Sequence, residues 1–259
     1  MIGEIPLPFD SMTLPNSLEE AILQAKEATR LALSEGLTRL QVELIIPEIA
    51  LEAQALALDF TSLFESRGSG LRVVFPDTGA AMLARRDWGE TVFQIGDLGS
   101  RFIPVDQKIS EEDTAYLVVC PSSVEINAVE KLCQLAGDRP VVLLIPQLED
   151  IAIVGIGYAA RQLRERFLST LESCYYFRPL EGATVFRSYP SSWEVWLEKE
   201  DDYELIARES SKPMGERLDT LILQATAKTP DGAEPSPTPA ARKTGLFSSV
   251  GKLLKALRQ

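Results

Sequence analysis

Two hydrophobic periods alternate along this chain. From Ser17 to Gly36 apolar residues recur every three or four positions, which predicts a helix with Ser17 and Glu20 as its capping box and Gly36 just past its end. Short apolar runs, such as 71–75 and 141–145, predict strands that are buried on both faces. Because such strands alternate with helices over the first two thirds of the chain, the pattern predicts a parallel sheet covered by helices on both sides.

Four of the predicted strands, including 39–46, end at a proline, in the pairs Ile46-Pro47, Phe75-Pro76, Cys120-Pro121 and Ile145-Pro146. Proline has no N–H to donate to a sheet and keeps the preceding residue extended, so it terminates a central strand. If these strands are parallel, all four prolines lie along the carboxyl edge of the sheet, where open α/β folds bind ligands. The simpler interpretation is that the prolines only terminate strands.

The pattern changes after the helix predicted at 158–173. Four short strand candidates follow one another within 175–209, with a predicted hairpin turn at 198–203 and a last helix at 215–227. Such close spacing is typical of antiparallel strands added to the edge of a sheet. We therefore predict an α/β fold with three layers: a mainly parallel sheet covered by helices on both faces, with an antiparallel C-terminal extension.

The same patterns predict the organisation of the chain. Residues 1–225 are expected to form a single α/β domain. Residues 226–243 are rich in proline, serine and alanine, which predicts a flexible linker. Residues 244–259 predict a basic amphipathic helix.

The C-terminal segment differs in charge from the rest of the chain. Residues 242–259 carry five basic side chains and no acidic one, although the net charge of the chain is −12, so residues 1–241 sum to −17. At about 100° per residue, the apolar side chains fall on one side of a helix and the basic ones on the other, as in helices that bind a membrane interface or a partner's groove. The alternative is that the helix packs back onto the acidic domain. The residues predicted to bind an anionic membrane surface or a partner are Leu246, Phe247, Val250, Lys252, Leu253, Leu254, Lys255, Leu257 and Arg258.

The composition excludes several classes of function. The chain has no histidine, so the commonest general base and the commonest transition-metal ligand are absent. Cys120, Cys133 and Cys174 form no C-x-x-C pair, which argues against a disulfide framework or a zinc site and for a reducing compartment. An isoelectric point near 4.7 argues against nucleic acid as a partner. No signal peptide or membrane-spanning run is visible, so we expect a soluble or peripheral protein. From the missing histidine and the cysteine spacing we expect no cofactor or metal.

One motif suggests nucleotide binding. In "IAIVGIGYAARQLRERF", Gly155 and Gly157 with Ala160 fit G-x-G-x-x-A, a loop type that presents backbone N–H groups to a pyrophosphate. Glu181 ends the next predicted strand, where a ribose-binding acid would lie, and Arg161 is the basic residue of the same candidate site. The motif lies late in the chain after a short strand, so the competing interpretation is that the glycines only permit a tight turn into the helix. The alternative function is therefore a nucleotide- or dinucleotide-binding enzyme or sensor.

Four longer blocks of the sequence resemble one family. The blocks lie at 71–88, 139–150, 160–180 and 185–196 and include "LRVVFPDTGAAMLARRDW" and "VFRSYPSSWEVW". They are similar to the signature blocks of an uncharacterised domain family of cyanobacteria and chloroplasts. That family includes the plant low-photosystem-II-accumulation proteins, which assist assembly of the chlorophyll-binding antenna subunits, and a similar domain is fused to a chloroplast adenylate kinase. The resemblance covers residues 14–225 and leaves out the linker and the tail.

The resemblance implies a non-enzymatic assembly or accessory factor of a photosynthetic membrane complex, with photosystem II as the expected complex. It implies a cytoplasmic or stromal location, peripheral to the thylakoid membrane, and it supplies no catalytic residues. A structural linker subunit of a pigment–protein complex is a further alternative. One departure from the family pattern is Ile145 before Pro146, where the pattern leads us to expect an asparagine.

Overall fold

The computed structural model describes residues 13–148, 158–199 and 202–227. In chain order these residues form α1 (Leu18–Ser34), β1 (Arg39–Leu44), α2 (Ala53–Phe60), β2 (Leu71–Phe75), α3 (Thr78–Trp88), β3 (Gln94–Asp97), β4 (Ala115–Val119), α4 (Ile126–Ala136), β5 (Val141–Leu144), α5 (Tyr158–Arg166), β6 (Glu172–Pro179), β7 (Ala183–Ser188), β8 (Trp193–Glu198), β9 (Tyr203–Glu209) and α6 (Gly215–Ala227). Short 3₁₀ segments lie at Ile49–Glu52, Thr61–Gly70, Val105–Gln107 and Leu168–Thr170.

The strands of the described residues form one mixed sheet in the order β3-β2-β4-β5-β1-β6-β7-β8-β9. Neighbouring strands from β3 to β6 are parallel, and those from β6 to β9 are antiparallel. β8 and β9 pair with Glu198 opposite Tyr203, which confirms the predicted hairpin. Helices pack on both faces, so the predicted α/β fold with a mainly parallel sheet and an antiparallel extension is confirmed.

The two faces of the sheet bury separate apolar clusters. Because neighbouring residues of a strand point to opposite faces, Leu117 of β4 joins the cluster of α1, α2 and α3 on the first face, whereas Val118 joins that of α4 and α5 on the second. α6 also covers the second face, where Leu218 packs with Tyr176 and Val195 of the antiparallel part. The core therefore consists of apolar layers on either side of one sheet.

Local contacts explain where α1 begins and ends. The Ser17 hydroxyl accepts the backbone N–H of Glu20 at 3.1 Å, as predicted. The Glu20 carboxylate in turn accepts the N–H of Asn16 at 2.8 Å, one residue before the position that a capping box uses. Gly36 has a φ of 87°, as its predicted place just past the helix requires.

Two arginines complete the C-terminal end of α4, at the amino edge of the sheet. Arg39 donates to the Cys133 carbonyl at 2.7 Å and to the Gly137 carbonyl, and Arg139 donates to the Ala136 carbonyl at 2.8 Å. The last carbonyls of a helix have no intrahelical partner, so the two guanidinium groups supply the missing donors. Both arginines therefore have a structural role at this edge.

Candidate functional site

The four prolines lie at the carboxyl edge of the sheet, as predicted. Pro47, Pro76, Pro121 and Pro146 each follow within three residues of the end of β1, β2, β4 or β5. Because these strands are parallel and pair in the order β2-β4-β5-β1, the four strand ends and the loops that follow them share one edge.

The chain changes face at two places along this edge. β2 leads to α3 on the first face, whereas its neighbour β4 leads to α4 on the second. In the same way, β1 leads to α2 on the first face and its neighbour β5 leads to α5 on the second. Open α/β proteins bind ligands in the crevice that such a switch opens at the carboxyl ends of the strands. The topology thus makes this edge the candidate site.

The backbone at this edge departs from the prediction at two of the four prolines. Cys120 and Ile145, the residues before Pro121 and Pro146, both have a φ of 46° instead of the extended conformation expected before proline. This region is uncommon for residues other than glycine and unfavourable for a β-branched one. The sheet holds both residues in place, since their N–H groups donate at 2.8 Å to carbonyls of the neighbouring strands. Two adjacent central strands therefore end in the same strained turn.

Large apolar side chains are exposed on the loops that leave this edge. Leu51 follows β1 and is 79% exposed, Phe102 follows β3 and is 78% exposed, and Val124 follows β4 and is 70% exposed. Ile103 lies beside Phe102, and Tyr158 begins α5 after β5 with 75% exposure. We call these five residues the carboxyl-edge patch. Exposed apolar side chains along one edge of a sheet are a feature of interaction sites on soluble proteins.

The loops at the carboxyl edge carry more acidic than basic side chains. On the basic side, Arg101 lies over the Phe102 ring, Arg161 is exposed on α5, and the Lys108 ammonium is 3.2 Å from the Asp97 carboxylate. The acidic residues at this edge are more numerous: Glu48, Glu52, Asp106 and Glu125 follow strands that carry the patch, and Asp77 and Glu181 follow β2 and β6. The described part of this edge is therefore apolar with a net negative rim.

Asp97, at the end of β3, is a buried carboxylate at this edge. It accepts the Gly99 N–H at 2.8 Å, the Thr78 hydroxyl at 3.2 Å and the Lys108 ammonium at 3.2 Å. These bonds join the first turn of α3 and the loop after β3 to the sheet. Because its donors come from the protein itself, Asp97 has a structural role at this edge.

The three thiols are unsuited to nucleophilic chemistry. Burial, with a smaller effect of Glu125, raises the pKa of Cys120, and burial raises that of Cys133 to about 11 and that of Cys174 to about 12. A nucleophilic cysteine needs a thiolate near neutral pH, which these pKa shifts oppose. Among the residues that the structure describes, no group of three or more Cys, Asp or Glu side chains is arranged to hold a metal ion.

The structure describes two of the four residues of the predicted nucleotide site. Gly155 and Gly157 lie outside the described residues, Arg161 is exposed on α5, and Glu181 is exposed in the turn between β6 and β7. In a dinucleotide-binding fold, the strand before the glycine loop and the strand that carries the acid are neighbours. The short strand predicted directly before the glycines, 151–154, lies outside the described residues. The last described strand before it, β5, is separated from β6 by β1, a distance of about 10 Å. The residues predicted to bind a membrane or partner, 246–258, also lie outside the described residues.

A charged cluster on the second face was missed from the sequence. Glu43 of β1 is buried, and its carboxylate accepts the Ser173 hydroxyl and, at 2.9 Å, the Lys212 ammonium. That ammonium lies 4.3 Å from the centroid of the Tyr176 ring, which packs against Trp193. We call these five residues the Glu43 cluster. Its charges are paired within the protein, which favours a structural role.

The signal for this cluster was present in β1. Arg39, Gln41 and Glu43 alternate with apolar residues, so β1 does not follow the general expectation that the parallel strands are apolar on both faces. The three apolar positions face the first cluster of the core, and the polar ones face the other side. Lys212, however, is 169 residues from Glu43 along the chain, and no local pattern indicates that they meet.

A cavity of about 280 Å³ lies at the other edge, beside the amino end of β2. Its lining includes Phe64, Leu71, Val92 and Phe93, with Glu65 as its charged side chain. Ligand sites combine an apolar lining with several convergent polar groups. The other polar side chains of this lining are Thr61 and Ser62, whose hydroxyls already donate to the carbonyls of Leu58 and Asp59 at 2.7 Å. The carboxyl edge therefore remains the better candidate.

Fold and site together define the class of molecule: an open α/β domain with an antiparallel extension, two changes of face along its parallel part, and an apolar, acid-rimmed carboxyl edge. The chain belongs to the family described as Domain of unknown function (DUF1995), whose model matches residues 15–220. The match confirms the expectation of an uncharacterised domain family. Crossing a bilayer would require a long apolar helix, and the described residues include none.

Proposed function

We propose that this protein is a non-enzymatic accessory factor that binds a photosynthetic membrane complex, photosystem II in the first place, through its carboxyl-edge patch. The observation that carries the proposal is the exposure of five large apolar side chains on loops that leave one edge of the sheet. The photosynthetic partner comes from the resemblance of the four sequence blocks. The segment 244–259 would hold the domain at the anionic thylakoid surface, on its cytoplasmic side.

The patch has the composition of a protein-binding surface. Interfaces bury apolar and aromatic side chains at their centre and keep charged groups at the rim, and here Phe102 and Tyr158 accompany aliphatic residues within an acidic rim. Fully burying a side chain of this size contributes about 1.5 to 3 kcal/mol, so a partner that covers three of them gains about 5 to 9 kcal/mol before the cost of association. That range suits a reversible complex.

The tail would supply the second contact. Each basic residue near an anionic leaflet contributes about 1 kcal/mol, and burial of the leucine face adds to this. Binding would therefore be reversible and weakened by salt. Two weak contacts, one to lipid and one to the complex, would together give a stronger attachment than either alone.

Co-sedimentation can test both contacts at once. Leu51→Ser/Val124→Ser is expected to reduce binding to isolated photosynthetic membranes severalfold without reducing binding to anionic liposomes. Truncation after Ala241 is expected to abolish liposome binding and to lower membrane binding. The matched control is Leu23→Ser/Leu223→Ser, two equally exposed leucines on α1 and α6, which should bind like the parent protein.

Membranes from cells that lack photosystem II identify the partner, because they should bind less protein than complete membranes. Equal binding by the patch variant and its control would contradict the role of the patch. Equal binding to membranes with and without photosystem II would contradict the named partner.

A nucleotide-binding enzyme or sensor is the second candidate, favoured by the Gly155-x-Gly157 motif, which in the sequence comes directly before the residues of α5. A specific ligand raises apparent thermal stability by mass action. Stabilisation by several degrees with NADPH or ATP in a thermal-shift panel would favour this candidate. A structural linker subunit would instead purify in fixed stoichiometry with its complex.

A further inference from the structure

We infer that the segment 244–259, when it is not on a membrane, docks across the carboxyl-edge patch of its own domain. The docking itself depends only on this chain, whereas its consequence for a partner rests on the proposed function. Three properties carry the inference: the size of the patch, the charge of its rim, and the length of chain that joins the segment to the domain.

The dimensions of the segment and the patch agree. The patch residues come from the loops of β3, β4, β5 and β1, which are strands one, three, four and five in the sheet. At about 4.8 Å between strands, these loops leave the edge over roughly 19 Å. A helix of 16 residues is about 24 Å long, so it extends across all four loops. Its apolar face would contact the patch with residues such as Leu246, Val250, Leu253 and Leu257.

The charges are complementary. The described loops of the carboxyl edge carry the six acidic side chains named above and fewer basic ones. The segment 244–259 carries Lys252, Lys255 and Arg258 and no acidic residue. With the leucine face on the patch, these long basic side chains extend sideways and outwards towards the acidic rim. Opposite charges favour both the encounter and the orientation of the docked helix.

The linker allows this contact. α6 ends at Ala227, and 16 residues, 228–243, separate it from the segment. Fully extended, they span up to roughly 55 Å, whereas a domain of this size has a radius of gyration of about 17 Å. Because the composition of these residues predicts a flexible linker, the segment is expected at an effective concentration on the order of 1 mM. Even a weak intrinsic affinity is therefore enough for the docked state to be populated.

Docking and membrane binding exclude each other, because both bury the same leucine face. In solution the segment would cover the surface that binds the partner, and at an anionic membrane it would leave that surface free. By thermodynamic linkage, a partner on the patch would in turn strengthen membrane binding. The domain would thus become competent to bind its complex at the membrane.

Hydrogen exchange on the full-length protein tests the docking. Compared with the chain truncated after Ala241, the full-length protein should show severalfold slower exchange in the loops at 45–53, 98–104 and 121–126. Anionic vesicles of phosphatidylglycerol should raise exchange to the level of the truncated chain. Leu253→Glu should behave like the truncation. Ser248→Glu changes the charge equally but keeps the leucine face, so it should retain most of the parent's protection.

Three results would overturn the inference. Equal exchange in the full-length and truncated proteins would show that the segment does not dock, and protection confined to α6 would place it elsewhere. Protection that appears only with rising concentration, together with a doubled mass by light scattering, would assign the patch to the segment of a second copy. If the protein binds vesicles but its loops are not protected, only the docking is contradicted. If the loops are protected but the protein does not bind vesicles, only the membrane tether is contradicted.

Discussion

Ile145 combines an unfavourable backbone with a favourable side chain. Its φ of 46° is rare for a β-branched residue, yet its side chain is only 2% exposed and belongs to the apolar cluster of the first face. Asparagine, which the family resemblance leads us to expect here, adopts this φ more readily but would bury a polar amide. Strain of this kind costs about 1 to 3 kcal/mol, and burial of isoleucine contributes a similar or larger amount. Because asparagine would also bury a polar amide, the loss of apolar burial should outweigh the relief of backbone strain.

We therefore expect Ile145→Asn to lower the free energy of unfolding by about 1 to 3 kcal/mol, measured by urea denaturation. Ile103→Asn makes the same change at an exposed position of the same edge and should alter stability by less than about 0.5 kcal/mol. An Ile145→Asn protein at least as stable as its parent would show that backbone strain is the larger effect.

Among the elements, α6 is attached to the sheet by few apolar contacts. Leu218 is its one fully buried residue, so apolar burial holds this helix weakly. Lys212, shortly before α6, adds an ion pair with Glu43 of the central strand β1 and a cation–π contact with Tyr176. The Glu43 cluster therefore connects the antiparallel extension to the parallel part of the sheet.

Lys212→Met tests this connection. It removes the ammonium from a buried carboxylate and should destabilise the protein by about 1 to 3 kcal/mol, less than for a fully buried pair because Lys212 is partly exposed. Hydrogen exchange of the backbone amides in α6 should become faster in the same variant. Lys131→Met, at an exposed position on α4, should change little.

A double-mutant cycle separates the ion pair from other effects of the methionine. Adding Glu43→Gln to Lys212→Met should recover part of the lost stability, because the buried charge is then gone. If the two changes simply add, Lys212 stabilises α6 by means other than its bond to Glu43.

In the whole molecule, both apolar layers bury thiols. Burial raises the pKa of Cys133, in the second-face cluster, to about 11 and that of Cys174, in the first-face cluster, to about 12, from an ordinary value of 9.0. A group whose pKa is higher in the folded state stabilises the fold fully below its unfolded pKa, and this contribution is lost as pH rises through the folded value. Stability should therefore decline from about pH 9 upwards, over the range set by these thiols.

Cys174→Ala isolates one of these thiols. Each pH unit in this window costs up to about 1.4 kcal/mol per thiol, so between pH 8 and pH 10 the variant should lose about 1 kcal/mol less than the parent. Urea denaturation under reducing conditions at the two pH values measures the difference. Cys120→Ala, at a half-buried thiol, should have a smaller effect. Parallel declines in parent and Cys174→Ala proteins would contradict the assignment.

The sequence by itself determined the local features of this protein. Ser17 and Gly36 mark the ends of α1, four prolines mark the ends of parallel strands, and the short spacing after 174 indicates antiparallel hairpins. Each of these signals acts within a few residues: a hydroxyl bonds an N–H three positions on, a glycine adopts positive φ, and a proline lacks a donor. The family was predictable for a similar reason, because its blocks are continuous stretches of chain.

Only the tertiary structure decided which elements lie side by side. Nothing in the local pattern places β1 between β5 and β6, because strand order follows from which face each crossover helix packs on. That order brings the loops of Leu51, Phe102, Val124 and Tyr158 to one edge, although each residue alone is an ordinary exposed side chain. It also brings Lys212 to Glu43 across 169 residues. Such long-range contacts leave no periodic pattern in the sequence, because they depend on the packing of the whole sheet.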